Sequence, residues 1–176
     1  IMVFLNPNDI ATHAHIQEGM KIADFGSGSG FRTIALAHAV GNSGKVYAFD
    51  IQKEMLEVVR SKAKSEHLLN VETIQADLES PHGSQFKENF LDHVVIANML
   101  FQAENKKAVI EEAFRILKPK GTASVIEWEM GSGIGPSRER MIDKMTVKEL
   151  FVSQGFLWDK EFYAGDHHYG LLFKKT

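Results

Sequence analysis

The chain has 176 residues, 44% of them hydrophobic, and 20 basic against 23 acidic side chains leave a formal charge of −3. That length and apolar share suit one ordinary globular domain, and the near balance of charge excludes the sequence-wide basic bias of a nucleic-acid or anionic-membrane binder. Cysteine is absent, which excludes disulfides, thiolate metal sites and a cysteine nucleophile, and suits a reducing cytoplasm.

Residues 1–5 are apolar but lack a basic flank and are too short for a signal peptide. No run approaches the roughly 20 apolar residues of a membrane helix. Ile1 is not an initiator, so residues missing or foreign at the start are expected. Residues 6–9, Asn-Pro-Asn-Asp, form a turn and cap cluster that predicts a helix to about Gln17, stopped at Gly19. His13 and His15 are two apart, on different faces, whereas a helical metal pair needs i and i+4. No metal site is expected. Phe4 and Leu5 are either a lid over a pocket or packing against the sheet edge.

Residues 21–32 organise the chain. Ile22, Ala23, Asp24 and Phe25 read as a buried strand, Gly26, Gly28 and Gly30 as a turn, and 31–40 as a helix. Glycine at alternate positions removes Cβ atoms where something must approach and permits positive φ. Strand, glycine-rich turn and helix N-terminus seat an adenosine-containing ligand in a doubly wound sheet; a plain structural turn is the competing reading. A loop at 41–44 leads to a strand over 45–49 that ends on Asp50. An acid at the tip of the second strand is placed to accept from both ribose hydroxyls, or else to cap the following helix.

That helix is expected over 52–67, with Met55 one turn past Asp50, either at an adenine edge or in the core. Residues 70–75 alternate as a third strand, closed by Ala76-Asp77-Leu78, where Asp77 is either an acceptor for an exocyclic amine or a loop acid. A polar loop over 80–89 precedes a fourth strand at 91–97. It delivers Asn98 to the carboxyl edge, as a ligand contact or a turn residue. An amphipathic helix over 105–117 stops at Lys118-Pro119-Lys120-Gly121, and a fifth strand covers 122–128. Residues 130–143 hold three glycines, Pro136, Arg138 and Arg140, and read as a substrate-facing flap or a connector. Thr146 is expected to cap a helix to Gln154, and strands at 156–163 and 168–174 must pair as an antiparallel hairpin. Adjacent His167 and His168 point oppositely on a strand, which argues against a shared metal.

Four motifs in order resemble the class I S-adenosylmethionine-dependent methyltransferases over nearly the whole chain. Asp24-Phe-Gly-Ser-Gly-Ser-Gly30 is similar to the family's first motif, Phe49-Asp50-Ile51 to its ribose-binding acid, and Ala76-Asp77-Leu78 to its adenine-binding acid. Leu117-Lys-Pro-Lys-Gly121 resembles the helix-to-strand turn of the ubiquinone/menaquinone- and arsenite-type branch. The resemblance implies one α/β domain over 1–176, a Rossmann-like, mostly parallel seven-stranded sheet of order 3-2-1-4-5-7-6 ending in the hairpin. It implies S-adenosylmethionine as cofactor, S-adenosylhomocysteine as product, and contacts from Asp24, Gly26, Ser27, Gly28, Gly30, Asp50, Ile51, Met55, Asp77, Leu78 and Asn98. Asp24 would orient the turn and meet the methionine ammonium through hydrogen bonds or water. The Asn/Asp-Pro-Pro-Tyr/Phe signature of many amino methylators is missing after strand four, where Asn98-Met-Leu-Phe stands. Large lid insertions are also missing, so enclosure falls to residues 2–8, to 130–143, or to a second subunit, as in a homodimer.

A cytoplasmic enzyme with a small-molecule acceptor is favoured over a protein or RNA acceptor. Candidate bases are Glu127, Glu129, Asp143, His167 and His168, and spacing does not choose among them. Two other classes stay open. A nicotinamide-dependent oxidoreductase is opposed by Phe31 standing where the third glycine of Gly-x-Gly-x-x-Gly belongs. A non-catalytic S-adenosylmethionine-binding protein would account for the unassigned base.

Overall fold

Strands covered on both faces read as continuous apolar runs, and Val94-Val95-Ile96-Ala97, the carboxyl half of the fourth strand, is such a run. In a computed structural model, which describes residues 7–176, this strand lies in the middle of a seven-stranded sheet. The elements in order are α1 (Pro7–His13), β1 (Lys21–Phe25), α2 (Phe31–Val40), β2 (Lys45–Asp50), α3 (Lys53–Ser65), β3 (Val71–Gln75), β4 (Leu91–Ala97), α4 (Lys106–Ile116), β5 (Leu117–Trp128), α5 (Lys144–Ser153), β6 (Phe156–Tyr163) and β7 (His168–Lys175). The sheet order is β3-β2-β1-β4-β5-β7-β6. All pairings are parallel except those of β7, which runs antiparallel to β5 and β6. This is the expected fold and strand order. The direction of winding reverses at β1, between β2 and β4, so a crevice opens beyond their carboxyl ends.

Alternation along the strands divides the core in two. Val94 and Ile96 join Val109, Ile110 and Ala113 of α4 and Val147 and Phe151 of α5. Val95 and Ala97 join Ile10 of α1 and Leu36, Ala37 and Val40 of α2. Each large side chain so buried contributes roughly 1.5–3 kcal/mol of hydrophobic free energy. No helix of the described residues is long and apolar enough to cross a membrane.

Several boundaries differ from expectation. Helix α1 ends at His13, not Gln17; His13 stacks on Phe162 at 5.0 Å, and His15 already has φ +54°. Helix α3 begins at Lys53 with Gln52 as its N-cap residue. Strand β5 begins at Leu117, five residues early, because Leu117 pairs with Leu91 before the register shifts to His93 opposite Thr122. Lys118–Gly121 therefore bulges out of a strand rather than preceding one. Helix α5 is capped by Asp143, whose side chain accepts from the N–H groups of Met145 and Thr146, and not by Thr146. Phe4 and Leu5 lie outside the described residues.

Candidate cofactor site

The turn between β1 and α2 is tied to its neighbours through the backbone. Ser27 N–H donates to the Phe49 carbonyl at 2.9 Å, and Gly30 N–H to the Ser27 carbonyl at 3.1 Å. Gly28 has φ +52°, and a Cβ placed there would meet nothing within 4 Å, so it faces open space. Gly30 has φ +84°, but its Cβ would lie 2.8 Å from Val59 Cγ2, so it is the contact that lets α2 pack on α3. Lys62 of α3 adds a clasp, donating to the Ser29 carbonyl at 2.7 Å while lying 3.4 Å over the exposed Phe31 ring.

Asp50 bridges turn and helix. One oxygen accepts from Gly28 N–H and the other from Gln52 N–H, both at 2.9 Å. The ribose and helix-start readings therefore describe one carboxylate, since each oxygen retains a second lone pair. Asp77 closes its own loop, accepting from Glu79 N–H at 3.0 Å and from the Ser80 hydroxyl at 2.8 Å. Asn98 adopts φ +52°, donates its N–H to the Ile126 carbonyl at 2.8 Å, and buries an Oδ1 with no hydrogen-bond partner.

These segments enclose a cavity of about 590 Å³ at the carboxyl edge of β1 to β4. Its wall contains Gly26, Ser27, Gly28, Asp50, Ile51, Met55, Asp77, Leu78 and Asn98 of the expected contacts. It contains neither Asp24 nor Gly30. Asp24 is fully buried, its Oδ1 accepting from Arg32 Nε at 2.7 Å and its Oδ2 from the Thr33 hydroxyl at 2.7 Å. A buried carboxylate needs partners, and Asp24 finds them inside the fold, where it braces the turn as expected without lining the cavity. Its partner Arg32 is in the wall instead, together with Glu79 and Gln102. Sequence reasoning passed over Arg32; the signal was the first cation downstream of an acid on a buried strand.

The five candidate bases separate clearly, and none lies in this wall. Asp143 is the α5 cap. Glu127 is buried beneath the β4–α4 loop, where its Oε1 accepts from Met99 N–H at 3.0 Å and Leu100 N–H at 2.6 Å. Burial pushes its carboxyl up to about 7, against the pull of those N–H groups and of Lys106. Glu129 pairs with Lys144, and with His168 it lines a second cavity of about 500 Å³ beyond the ends of β5 and β7. His168 lies tilted against Trp128, ring centroids 4.2 Å apart; burial, with His167 beside it, pulls its imidazole down to about 4, so it is neutral at pH 7. His167 is buried alongside.

Residues 130–143 are irregular but anchored. Tyr169 donates its hydroxyl to the Ile142 carbonyl at 2.8 Å, and Gly135 sits so close to Trp128 that a Cβ would be 2.5 Å from its ring. Arg140 lies 5.9 Å over Phe101, so the segment borders the β4–α4 loop without entering the larger cavity. Among the described residues, no group of three or more His, Asp or Glu side chains is placed to hold a metal ion.

Comparison with known proteins agrees with this geometry. A model of a methyltransferase domain family matches residues 16–163. This chain belongs to the class I S-adenosylmethionine-dependent methyltransferases. It is 35% identical over 127 residues to the demethylmenaquinone methyltransferase of Geobacillus sp. strain WCH70, covering 72% of this chain and 53% of that protein. It is also 35% identical over 116 residues to the ubiquinone/menaquinone biosynthesis C-methyltransferase UbiE of Shewanella woodyi, covering 65% and 45%. The chain therefore spans about half the length of the curated relatives it matches. A crystal structure of a SAM-dependent methyltransferase from Aquifex aeolicus superposes with a TM-score of 0.90 at 25% identity, covering 98% of this chain and 91% of that one.

Proposed function

We propose that this methyltransferase chain transfers the sulfonium methyl of S-adenosylmethionine to a small-molecule acceptor. The observation that carries the reading is the crevice at the β1 switch point, where Gly28 presents open space in place of a side chain. Asp50 stands at the tip of β2 and Asp77 follows β3 on the same wall. A dinucleotide would need a comparable seat, but the methyltransferase family match makes the sulfonium ligand the better occupant.

S-adenosylmethionine supplies an already activated methyl electrophile, so the protein's work is alignment and exclusion of water rather than activation. Asp50 offers its remaining lone pairs to the ribose hydroxyls. Leu78 and Met55 present apolar surface to the adenine, and Asp77 accepts from its amine. Gly26 to Gly28 would leave bare backbone for the sulfonium-bearing arm, and Asn98 would face the methionine end. A base is needed only when the acceptor carries a proton that must leave. Glu129 and the neutral imidazole of His168 stand at the second cavity, at the carboxyl end of β5 and the amino end of β7, and are the groups to test for that role. A quinone-type ring, after the demethylmenaquinone and ubiquinone/menaquinone of the relatives' names, is the first acceptor class to screen, ahead of protein and RNA.

Calorimetric titration with S-adenosylmethionine, S-adenosylhomocysteine and NAD tests the reading. Micromolar binding of the first two is expected, without binding of NAD. Asp50→Ala is expected to weaken both by more than about 1.5 kcal/mol through loss of charge-assisted hydrogen bonds. Unchanged affinity in that variant removes Asp50 from the site, and binding of NAD alone removes the methyltransferase reading. Transfer of labelled methyl into a panel of quinols, amines and cell extract then selects the acceptor.

A further inference from the structure

The cavity wall is acidic at one end. Asp50, Asp77 and Glu79 stand on the segments that follow β2 and β3, and among the described residues that line it the one cation is Arg32. S-adenosylmethionine carries a carboxylate at the end opposite its adenine, and three acids make the β2–β3 end electrostatically wrong for it. We propose that Arg32 receives this carboxylate. The inference rests on the cofactor reading above and assigns the amino-acid end of the ligand to a residue outside the first motif's acid and glycines.

The geometry of Arg32 favours it. Nε donates to Asp24 Oδ1 at 2.7 Å, and Nη2 reaches the same oxygen at 2.6 Å and the Gly26 carbonyl at 3.0 Å. Three contacts on one edge lock the guanidinium plane, so little rotamer entropy is left to lose when a ligand arrives. Nη1 keeps two N–H groups with no hydrogen-bond partner among the described residues. The side chain is 11% exposed and forms part of the cavity wall. A donor edge in such a place makes stronger charge-assisted bonds than a flexible surface lysine. Its bond to the Gly26 carbonyl ties it to the turn after β1, whereas the three acids stand on the segments after β2 and β3. Asp24 becomes a positioning residue: it never touches the ligand, and it aims Arg32.

The test compares ligands that share a nucleoside and differ in the carboxylate. S-adenosylhomocysteine and 5′-methylthioadenosine are titrated into wild type, Arg32→Met and Arg32→Lys. Arg32→Met is expected to lose at least tenfold in affinity for S-adenosylhomocysteine and less than twofold for methylthioadenosine. Arg32→Lys, which keeps a charge beside Asp24 without the planar fork, is expected to fall between. An unchanged S-adenosylhomocysteine affinity overturns the assignment, and so does an equal loss for both ligands, which would mean only that the turn had collapsed. Because Arg32→Met strands the Asp24 carboxylate, the wild type supplies a second measurement. Decarboxylated S-adenosylmethionine is expected to bind it at least tenfold more weakly than S-adenosylmethionine, and equal binding overturns the proposal. If wild type binds none of these nucleosides, the cofactor reading falls first and this assignment with it.

Discussion

Gly28 and Gly30 are two residues apart, both with positive φ, and both are required, but for unlike reasons. At Gly28 the space for a side chain exists and belongs to the cavity. At Gly30 the space is taken by Val59 of α3, with Cγ2 at 2.8 Å and Cα at 3.3 Å from an added Cβ. Left-handed backbone costs a non-glycine residue roughly 1–2 kcal/mol at either position. Crowding at Gly30 adds about 1–3 kcal/mol more, because helix and helix must part. Gly28→Val is therefore expected to fold and to lose S-adenosylhomocysteine binding, while Gly30→Val loses stability first. Urea unfolding beside ligand titration separates them, and normal binding by Gly28→Val would mean that the glycines only shape a turn. The sequence pattern names three glycines but not their division of labour, which depends on a helix some 30 residues downstream. Asp24 shows the same limit: its type and place are readable, and its commitment to Arg32 and Thr33 is not.

At the scale of elements, helices and strands were readable where burial imposes a period, and misread where local punctuation has two meanings. Lys118-Pro119-Lys120-Gly121 carries the residues of a stop, yet it is a bulge inside β5, because the partner strand β4 supplies the pairing on both sides of it. For α5, Asp143 and Thr146 are both good N-caps three residues apart. Tyr169 decides between them by holding the Ile142 carbonyl, which sets where the chain turns into the helix. Asp143 accepts from two backbone N–H groups and from the Thr146 hydroxyl, so Asp143→Ala is expected to cost about 1 kcal/mol at pH 7 and Thr146→Ala distinctly less. Those hydrogen bonds, the Thr146 hydroxyl first, hold the Asp143 carboxyl below its ordinary value. The cap's contribution is thus present at neutral pH and lost as pH falls through the acid range. Thermal melts of both variants at pH 7 check the ranking, and a larger loss in Thr146→Ala would return the cap to Thr146.

For the whole molecule, the sheet places two buried ionisable groups whose effects on stability oppose each other. His93 is fully buried between Thr122 Oγ1 at 2.7 Å and Ser124 Oγ at 2.9 Å, and burial pulls its imidazole down to about 3. The unfolded chain binds the proton more readily there, so this contribution is intact above about pH 6.5 and is lost as pH falls toward 3. Glu127, raised from 4.5 to about 7 chiefly by burial, has the opposite sign. The folded chain holds its proton more tightly, so stability falls as pH rises from about 4.5 to 7 and stays level above. Lys106 on α4 pulls against that rise, and Tyr169 on β7 feels the Glu127 charge; burial first, then that charge, push the Tyr169 phenol up, so it keeps its proton throughout this range. Neither group shows in the chain's near-neutral composition, because the effect comes from where the core encloses them. Glu127→Gln removes the titration but keeps an oxygen for the Met99 and Leu100 N–H groups. Relative to wild type it is expected to gain as pH rises, from no pH-dependent gain at 4.5 to about 3 kcal/mol above 7. Any fixed cost of the buried amide is the same at both ends, so the informative quantity is the change in the difference. Urea unfolding of both proteins at pH 4.5, 6 and 8 measures it. A gap that stays constant across the series would mean that Glu127 is ionised throughout, and that the β4–α4 loop sits on a permanent buried charge rather than on a proton.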